Sequence, residues 1–222
     1  MHDRKIISKR QGSFSDRSEA ANLLARELKT YAGSSPVVLG IPRGGVLMAA
    51  EIARQLSGEL DVVLSHKLSY PGRPDAACGS ITESGKVFLE SYKPQTLLDE
   101  DYLASEKEEQ LELLSERAVA YRKILPKVPL NDRIAIVTDD GVATGLTMRA
   151  ALWSARQEKP KKLIAAIPVA PEETVEMLAP YADQTICLLV PDYFFSVSQF
   201  YARFEELKDA EVLELLKQKS KK

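Results

Sequence analysis

The stretch that most constrains this chain is Arg133 to Arg149, R-I-A-I-V-T-D-D-G-V-A-T-G-L-T-M-R. Ile134 to Val137 is apolar and partly β-branched, which suits a strand buried on both faces. It runs into the adjacent acids Asp139 and Asp140. Gly141 and Gly145 then bracket Ala143 and Thr144, and Met148, Ala151, Leu152 and Ala155 recur at helical spacing through Leu146 to Gln157. Strand, acidic pair, tight loop and helix follow in that order. Glycines let a backbone approach an anion closely, and a helix N-terminus offers it unpaired N–H groups and the positive end of a dipole. Thr144 and Thr147 can add hydroxyl donors. The two carboxylates suit vicinal hydroxyls of a sugar, or a magnesium ion beside them. An ordinary βα turn before a capped helix fits the bare D-x-G-x-x-x-G spacing equally well.

The pattern occurs twice. Pro36 to Ile41 reads as a buried strand and runs into P-R-G-G, Pro42 to Gly45, before a helix carried by Val46, Ala49, Ile52, Ala53 and Leu56. Arg43 adds a fork of donors suited to phosphate oxygens. A plain tight turn is the alternative reading of these glycines. Leu60 to Ser65 is the next expected strand, delivering His66 and Lys67 at its carboxyl end. Lys67 is then a candidate for holding anionic charge rather than a solvated lysine, with His66 a structural neighbour.

The string V-T-D-D-G-V-A-T-G-L-T resembles the phosphoribosyl pyrophosphate (PRPP) signature of type I phosphoribosyltransferases, and L-G-I-P-R-G-G-V resembles their pyrophosphate loop. The resemblance implies that Asp139 and Asp140 hold the ribose hydroxyls, and a Mg²⁺ ion directly or through hydroxyls or water. It implies that Ala143, Thr144, Gly145, Leu146 and Thr147 wrap the 5′-phosphate, and that Arg43, Gly44 and Gly45 take the pyrophosphate. Catalysis would rest on Asp139, Asp140, Arg43 and Lys67. D-R-S-E-A, H-K-L-S-Y-P-G-R-P-D-A-A-C-G and P-D-Y-F-F-S-V-S-Q-F-Y-A-R-F extend the likeness to a subgroup of predicted phosphoribosyltransferases of unassigned substrate. Enzymes acting on 6-oxopurines carry a third Asp where this chain has Ala143, which disfavours hypoxanthine or guanine as acceptor.

The fold so implied is α/β, a type I phosphoribosyltransferase-like, mostly parallel sheet flanked by helices. We expect a single domain over 1–222, with a helical and hairpin insertion at about 68–129 and an aromatic hood or packing segment at about 191–208. The implied reaction moves a 5-phosphoribosyl group from PRPP to a nitrogenous acceptor, a base or amine, and releases pyrophosphate. A non-catalytic PRPP or nucleotide sensor, and a phosphoribosyl or phosphate-ester hydrolase, share the same donor loops and stay open. A homodimer is compatible with the resemblance.

Elsewhere a first helix is expected over Ser15 to Ala32, capped by Ser15 or Asp16 and stopped by Gly33. Inside the insertion a hairpin should turn near Ser84 and Gly85, and Leu97 to Leu125 should be helical with a charged, solvated face. Arg73 and Lys86 are the basic residues there to watch. Strands over Lys162 to Val169 and Thr185 to Val190 flank a short helix, Glu172 to Leu178, and an amphipathic tail begins at Asp209. Phe194, Phe195, Phe200 and Tyr201 are candidates for stacking a planar base; core or interface packing is their other reading. A net charge of −2 offers no field to recruit nucleic acid or an anionic membrane. Two distant cysteines and the absence of any long apolar run point to a reduced, cytoplasmic setting.

Overall fold

The computed structural model describes residues 3–8, 12–89 and 99–219. Six strands pair in parallel: β1 (Asp3–Ser8), β2 (Val37–Gly40), β3 (Glu59–Val62), β7 (Ile134–Thr138), β8 (Lys162–Val169) and β9 (Gln184–Leu189), in the order β1-β9-β8-β7-β2-β3. Their side chains alternate between two apolar faces. Val38, Ile136, Ile164, Ala166 and Ile186 point towards α1 (Arg17–Glu27) and α2 (Gly44–Leu56). Val37, Leu39, Ala135, Val137, Ala165 and Cys187 point towards α4 (Leu146–Gln157) and α5 (Glu172–Leu178). A sheet covered on both sides explains why its central strands read as unbroken apolar runs.

From β2 the chain passes through α2 to β3 on one side of the sheet. From β7 it passes through α4 and α5 to β8 and β9 on the other. The loops after β2 and β7 therefore diverge from neighbouring strand ends, the place where an open parallel sheet leaves a crevice. Both glycine loops foreseen in the sequence begin there, with Gly40 paired to Thr138.

The segment between β3 and β7 adds an antiparallel sheet, β4 (Ser65–Tyr70), β5 (Arg73–Thr82) and β6 (Val87–Leu89), together with α3 (Glu100–Arg122). The hairpin turns through Glu83 and Ser84, with Gly85 at φ 80°. The expected strand Leu60 to Ser65 is corrected by this arrangement. Val63 N still donates to Gly40 O, after which the chain leaves the parallel sheet and Ser65 pairs with Thr82. His66 and Lys67 thus belong to the antiparallel sheet. One apolar run supplied two strands with different partners.

A third apolar cluster joins the segment to α6 (Asp209–Lys219): Leu68, Ile81, Leu114 and Tyr121 pack with Val212 and Leu216. Asp61 of β3 is 1% exposed and pairs with Arg122 of α3 while accepting from Val128 N at 2.9 Å. The C-terminal strap before α6 is pinned to the start of the chain, with Phe14 N donating to Phe200 O and Ala202 N to Phe14 O, both at 2.8 Å. The first helix starts at Arg17, capped as expected by Asp16, which accepts from the amides of Ser18 and Glu19, but its α-helical part ends at Glu27 and a single 3-10 turn, Lys29–Tyr31, completes the span expected to run to Ala32. The first residues of the expected Leu97 to Leu125 helix, and the last three of the amphipathic tail, lie outside the described residues.

Candidate functional site

At the crevice the two loops touch. A Cβ on Gly45 would sit 2.6 Å from Thr138 O and 2.9 Å from Asp139 Cα. One on Gly44 would sit 1.9 Å from Asp140 Oδ2. Only glycine allows the N-terminus of α2 to lie this close to the end of β7. The Pro42–Arg43 peptide just before these glycines is cis.

Asp139 and Asp140 are partly buried at the end of β7. Burial first, and then the charge on Asp140, push the Asp139 carboxyl well above its ordinary range; amide bonds from Asp140 and Gly45, and Arg17, act in the opposite sense. Burial also raises Asp140, against the pull of Arg17, whose Nε donates to Oδ2 at 2.8 Å. Tyr201 Oη donates to the Asp140 carbonyl at 2.6 Å and fixes the backbone there. Among the described residues the two carboxylates thus share one close cation, Arg17, an imbalance that a further cation or several hydroxyl donors would relieve.

The loop onward from Asp140 is shaped by α5 and the strap. Gly141 packs under Val197, and Gly145, at φ 76°, lies over Thr174 and Met177 as the N-cap of α4. Thr174 Oγ1 donates to Ala143 O at 2.6 Å. Ser80 Oγ and Ser65 Oγ reach the Leu146 and Thr147 carbonyls at 2.8 and 3.2 Å, fastening the antiparallel sheet to the first turn of α4. Ala143 and Thr144 are exposed, and Leu146 is buried. The leading amides of α4 have no intrahelical acceptor and are available to an anion.

A cavity of about 650 Å³ opens on this crevice. Of the residues singled out by sequence, Arg43, Gly44, Lys67, Asp139, Asp140 and Thr147 line it. So do Arg17, His66, Arg117 and Phe204, which sequence reasoning did not assign to a site. Arg43 also pairs with exposed Glu206 of the strap at 3.5 Å. Arg117 is held by Asp209 at 3.1 Å. His66 is pulled below its usual range, by burial first and then by Arg117. Arg117 stands in no motif, and Arg17, His66 and Phe204 fall inside strings that carry the resemblance without a local signal of a site; all four reach the cavity because α1, β4, α3 and the strap fold over the strand ends. Arg73 and Lys86 do not line it, and Lys86 lies 5.8 Å from the Trp153 ring.

The aromatic candidates divide. Phe200 and Tyr201 are 5% and 7% exposed, packed on Phe194 and Phe14 respectively at 5.3 Å between ring centres, so their faces are taken by the core. Phe194 is half-buried, Phe195 is 88% exposed, and neither lines the cavity. A larger concavity of about 800 Å³ lies at the opposite ends of the strands, between Ala53, Leu60, Leu125, Val128 and Leu216, and contains neither loop.

The chain is 40% identical over 204 residues to "Putative phosphoribosyl transferase Rv0571c" of Mycobacterium tuberculosis strain H37Rv, and equally to its counterpart MT0597 in strain CDC 1551. These matches cover 91% of this chain and 46% of the relatives, so the chain spans about half the length of the curated relatives it matches. A crystal structure of TT1426 from Thermus thermophilus is 42% identical and superposes with a TM-score of 0.77, covering 93% of this chain and 98% of that one. The family model described as phosphoribosyl transferase domain matches residues 16–204, a span that takes in both glycine loops, the acidic pair and the helix bearing Arg17, and the chain belongs to that family.

Proposed function

We propose that the chain transfers a 5-phosphoribosyl group from PRPP to a nitrogenous acceptor and releases pyrophosphate. The observation that carries this reading is the meeting of the P-R-G-G loop with the acidic pair at the switch of the sheet, both opening on one cavity lined by Arg43, Lys67 and Arg117. Breaking the bond from the ribose carbon to pyrophosphate leaves positive charge on the ring and negative charge on the leaving group. Fixed charges already aimed at those places lower that barrier. Asp139 and Asp140 accept from the ribose hydroxyls and face the developing positive charge. Thr144, Thr147 and the amides opening α4 hold the 5′-phosphate at one end, and Arg43 with Lys67 takes the pyrophosphate at the other. On the strap side the cavity is bounded by the half-buried Phe204.

Magnesium fits this donor set as a shared ion. Among the described residues no group of three or more His, Cys, Asp or Glu is gathered to form a cage. The acidic pair, short of countercharge, would contribute one or two ligands to an ion otherwise held by substrate oxygens, the usual way Mg²⁺ is bound beside phosphates. It would neutralise charge gathering on the pyrophosphate.

Ala143 brings no carboxylate to the loop, so the proton of the acceptor is handled elsewhere, and 6-oxopurines are disfavoured. The test is incubation with PRPP and Mg²⁺ against purines, pyrimidines and small amines, following pyrophosphate release. Release that depends on one acceptor supports transfer. Release without acceptor marks a hydrolase, and tight PRPP binding without turnover marks a sensor. Arg43→Ala should weaken PRPP and pyrophosphate by roughly 10- to 150-fold, the range for a charge-assisted contact, while ribose 5-phosphate is nearly unaffected. An equal loss for ribose 5-phosphate would mean that Arg43 does not serve the pyrophosphate end.

A further inference from the structure

We propose that Arg17, the first residue of α1, is a positioning residue of the donor site: it orients Asp140 for the ribose hydroxyls and couples that carboxylate to the C-terminal strap. The proposal rests on the phosphoribosyl-transfer reading and adds to it a residue from outside both loops.

Three contacts hold the Arg17 guanidinium. Nε donates to Asp140 Oδ2 at 2.8 Å, Nη1 donates to the Glu205 carbonyl at 2.9 Å, and Cζ lies 3.9 Å from the centre of the Phe204 ring. The two charged side chains are only 12% and 16% exposed, so their attraction is much less screened than that of a surface pair. A carboxylate anchored at one oxygen cannot spin about its last torsion, and the direction in which it accepts a hydroxyl is therefore set.

The position of Arg17 argues against a role in building α1. A cation in the first turn of a helix opposes the macrodipole and is unfavourable there. The helix is already capped by Asp16 and anchored in the core by Leu24, outside any contribution from Arg17. What offsets the misplaced cation is Asp140, 123 residues away in sequence. The pair is nested over Gly44, where a Cβ would also lie 3.0 Å from Arg17 Nε. Helix α1, the pyrophosphate-loop glycine and the acidic pair thus meet at one point, and the strap closes over it through Phe204 and Glu205.

The test compares wild type with Arg17→Ala and Arg17→Lys by calorimetry with Mg·PRPP, ribose 5-phosphate and pyrophosphate, alongside melting temperature. For Arg17→Ala we expect a loss of roughly 10- to 150-fold for the two ribose-bearing ligands. Pyrophosphate affinity should stay within about 3-fold, because the role assigned to Asp140 is towards the ribose hydroxyls, which that ligand lacks. Added methylguanidinium should recover part of the loss, and Arg17→Lys should fall between the two. The proposal is overturned if Arg17→Ala binds Mg·PRPP like wild type. It is also overturned if all three ligands and the melting temperature fall together without rescue, or if Arg17→Ala does not fold while Arg17→Lys binds all three ligands unchanged. Absence of Mg·PRPP binding by wild type would instead strike the transfer reading itself, and this inference with it.

Discussion

At the scale of single residues, the acidic pair is kept at a cost to the fold. The Asp139 carboxyl has its folded-state pKa raised by burial and by Asp140, above an unfolded value near 4. For a group shifted in this direction, stability is present at low pH and lost as pH rises through the folded value. Asp139→Asn removes that loss while keeping an oxygen to accept from the Asp140 and Gly45 amides. It should therefore raise the melting temperature at pH 7.5 in magnesium-free buffer, by an amount that shrinks towards pH 4, and abolish the extra stabilisation by Mg·PRPP. Calorimetry across that range decides it; a lower melting temperature at every pH would show that the carboxylate is a structural support. The acids were legible in sequence because they follow a buried strand directly. Arg17 and Arg117 were not, since an arginine at a helix start or on a charged helix face is common and its partner is distant in sequence.

At the scale of elements, strand–loop–helix units read well because all their determinants are local. Leu146 to Gln157 and Lys162 to Val169 occupy the ranges their periodicity indicates. The division of Leu60 to Tyr70 between two sheets was hidden, because pairing partners are chosen by tertiary contacts that an apolar run does not record. The loop between β7 and α4 carries a similar lesson. Gly145 needs to be glycine for its positive φ, and not only for the anion proposed there; on α5 a Cβ would also press on Thr174 Cγ2 at 3.0 Å and on the movable end of Met177 at 2.4 Å. Gly145→Val should accordingly lose several degrees of melting temperature, about 1–3 kcal/mol, along with ribose 5-phosphate binding. Exposed Thr144→Val should weaken the same ligand with the melting temperature unchanged. Equal melting temperatures for the two variants would remove the role assigned to α5.

At the scale of the whole molecule, the antiparallel sheet and α3 are joined to the parallel sheet by a buried charge as well as by apolar packing. Arg122→Met would leave Asp61 buried with amide donors alone, and breaking such a pair from one side costs about 3–5 kcal/mol. Because Lys67 and Arg117 reach the cavity from this same region, the variant should weaken pyrophosphate binding as it lowers the melting point. Loss of stability with pyrophosphate affinity intact would show that the cavity is indifferent to how the region docks.

One strand has a consequence in time. Among the described residues β1 pairs with β9 alone, residue 3 opposite residue 184, so the edge of the sheet is completed by strands far apart in sequence. On a ribosome adding about 5–20 residues per second, the first strand emerges some 10–35 seconds before its partner exists. An unpaired strand is a template for mispairing with any other extended segment, and charge is a common defence. Asp3, Arg4 and Lys5 give this one three charges in succession. Those residues hid the strand from a reading based on apolar pattern, and they are suited to an edge that must wait for the rest of the protein to be made.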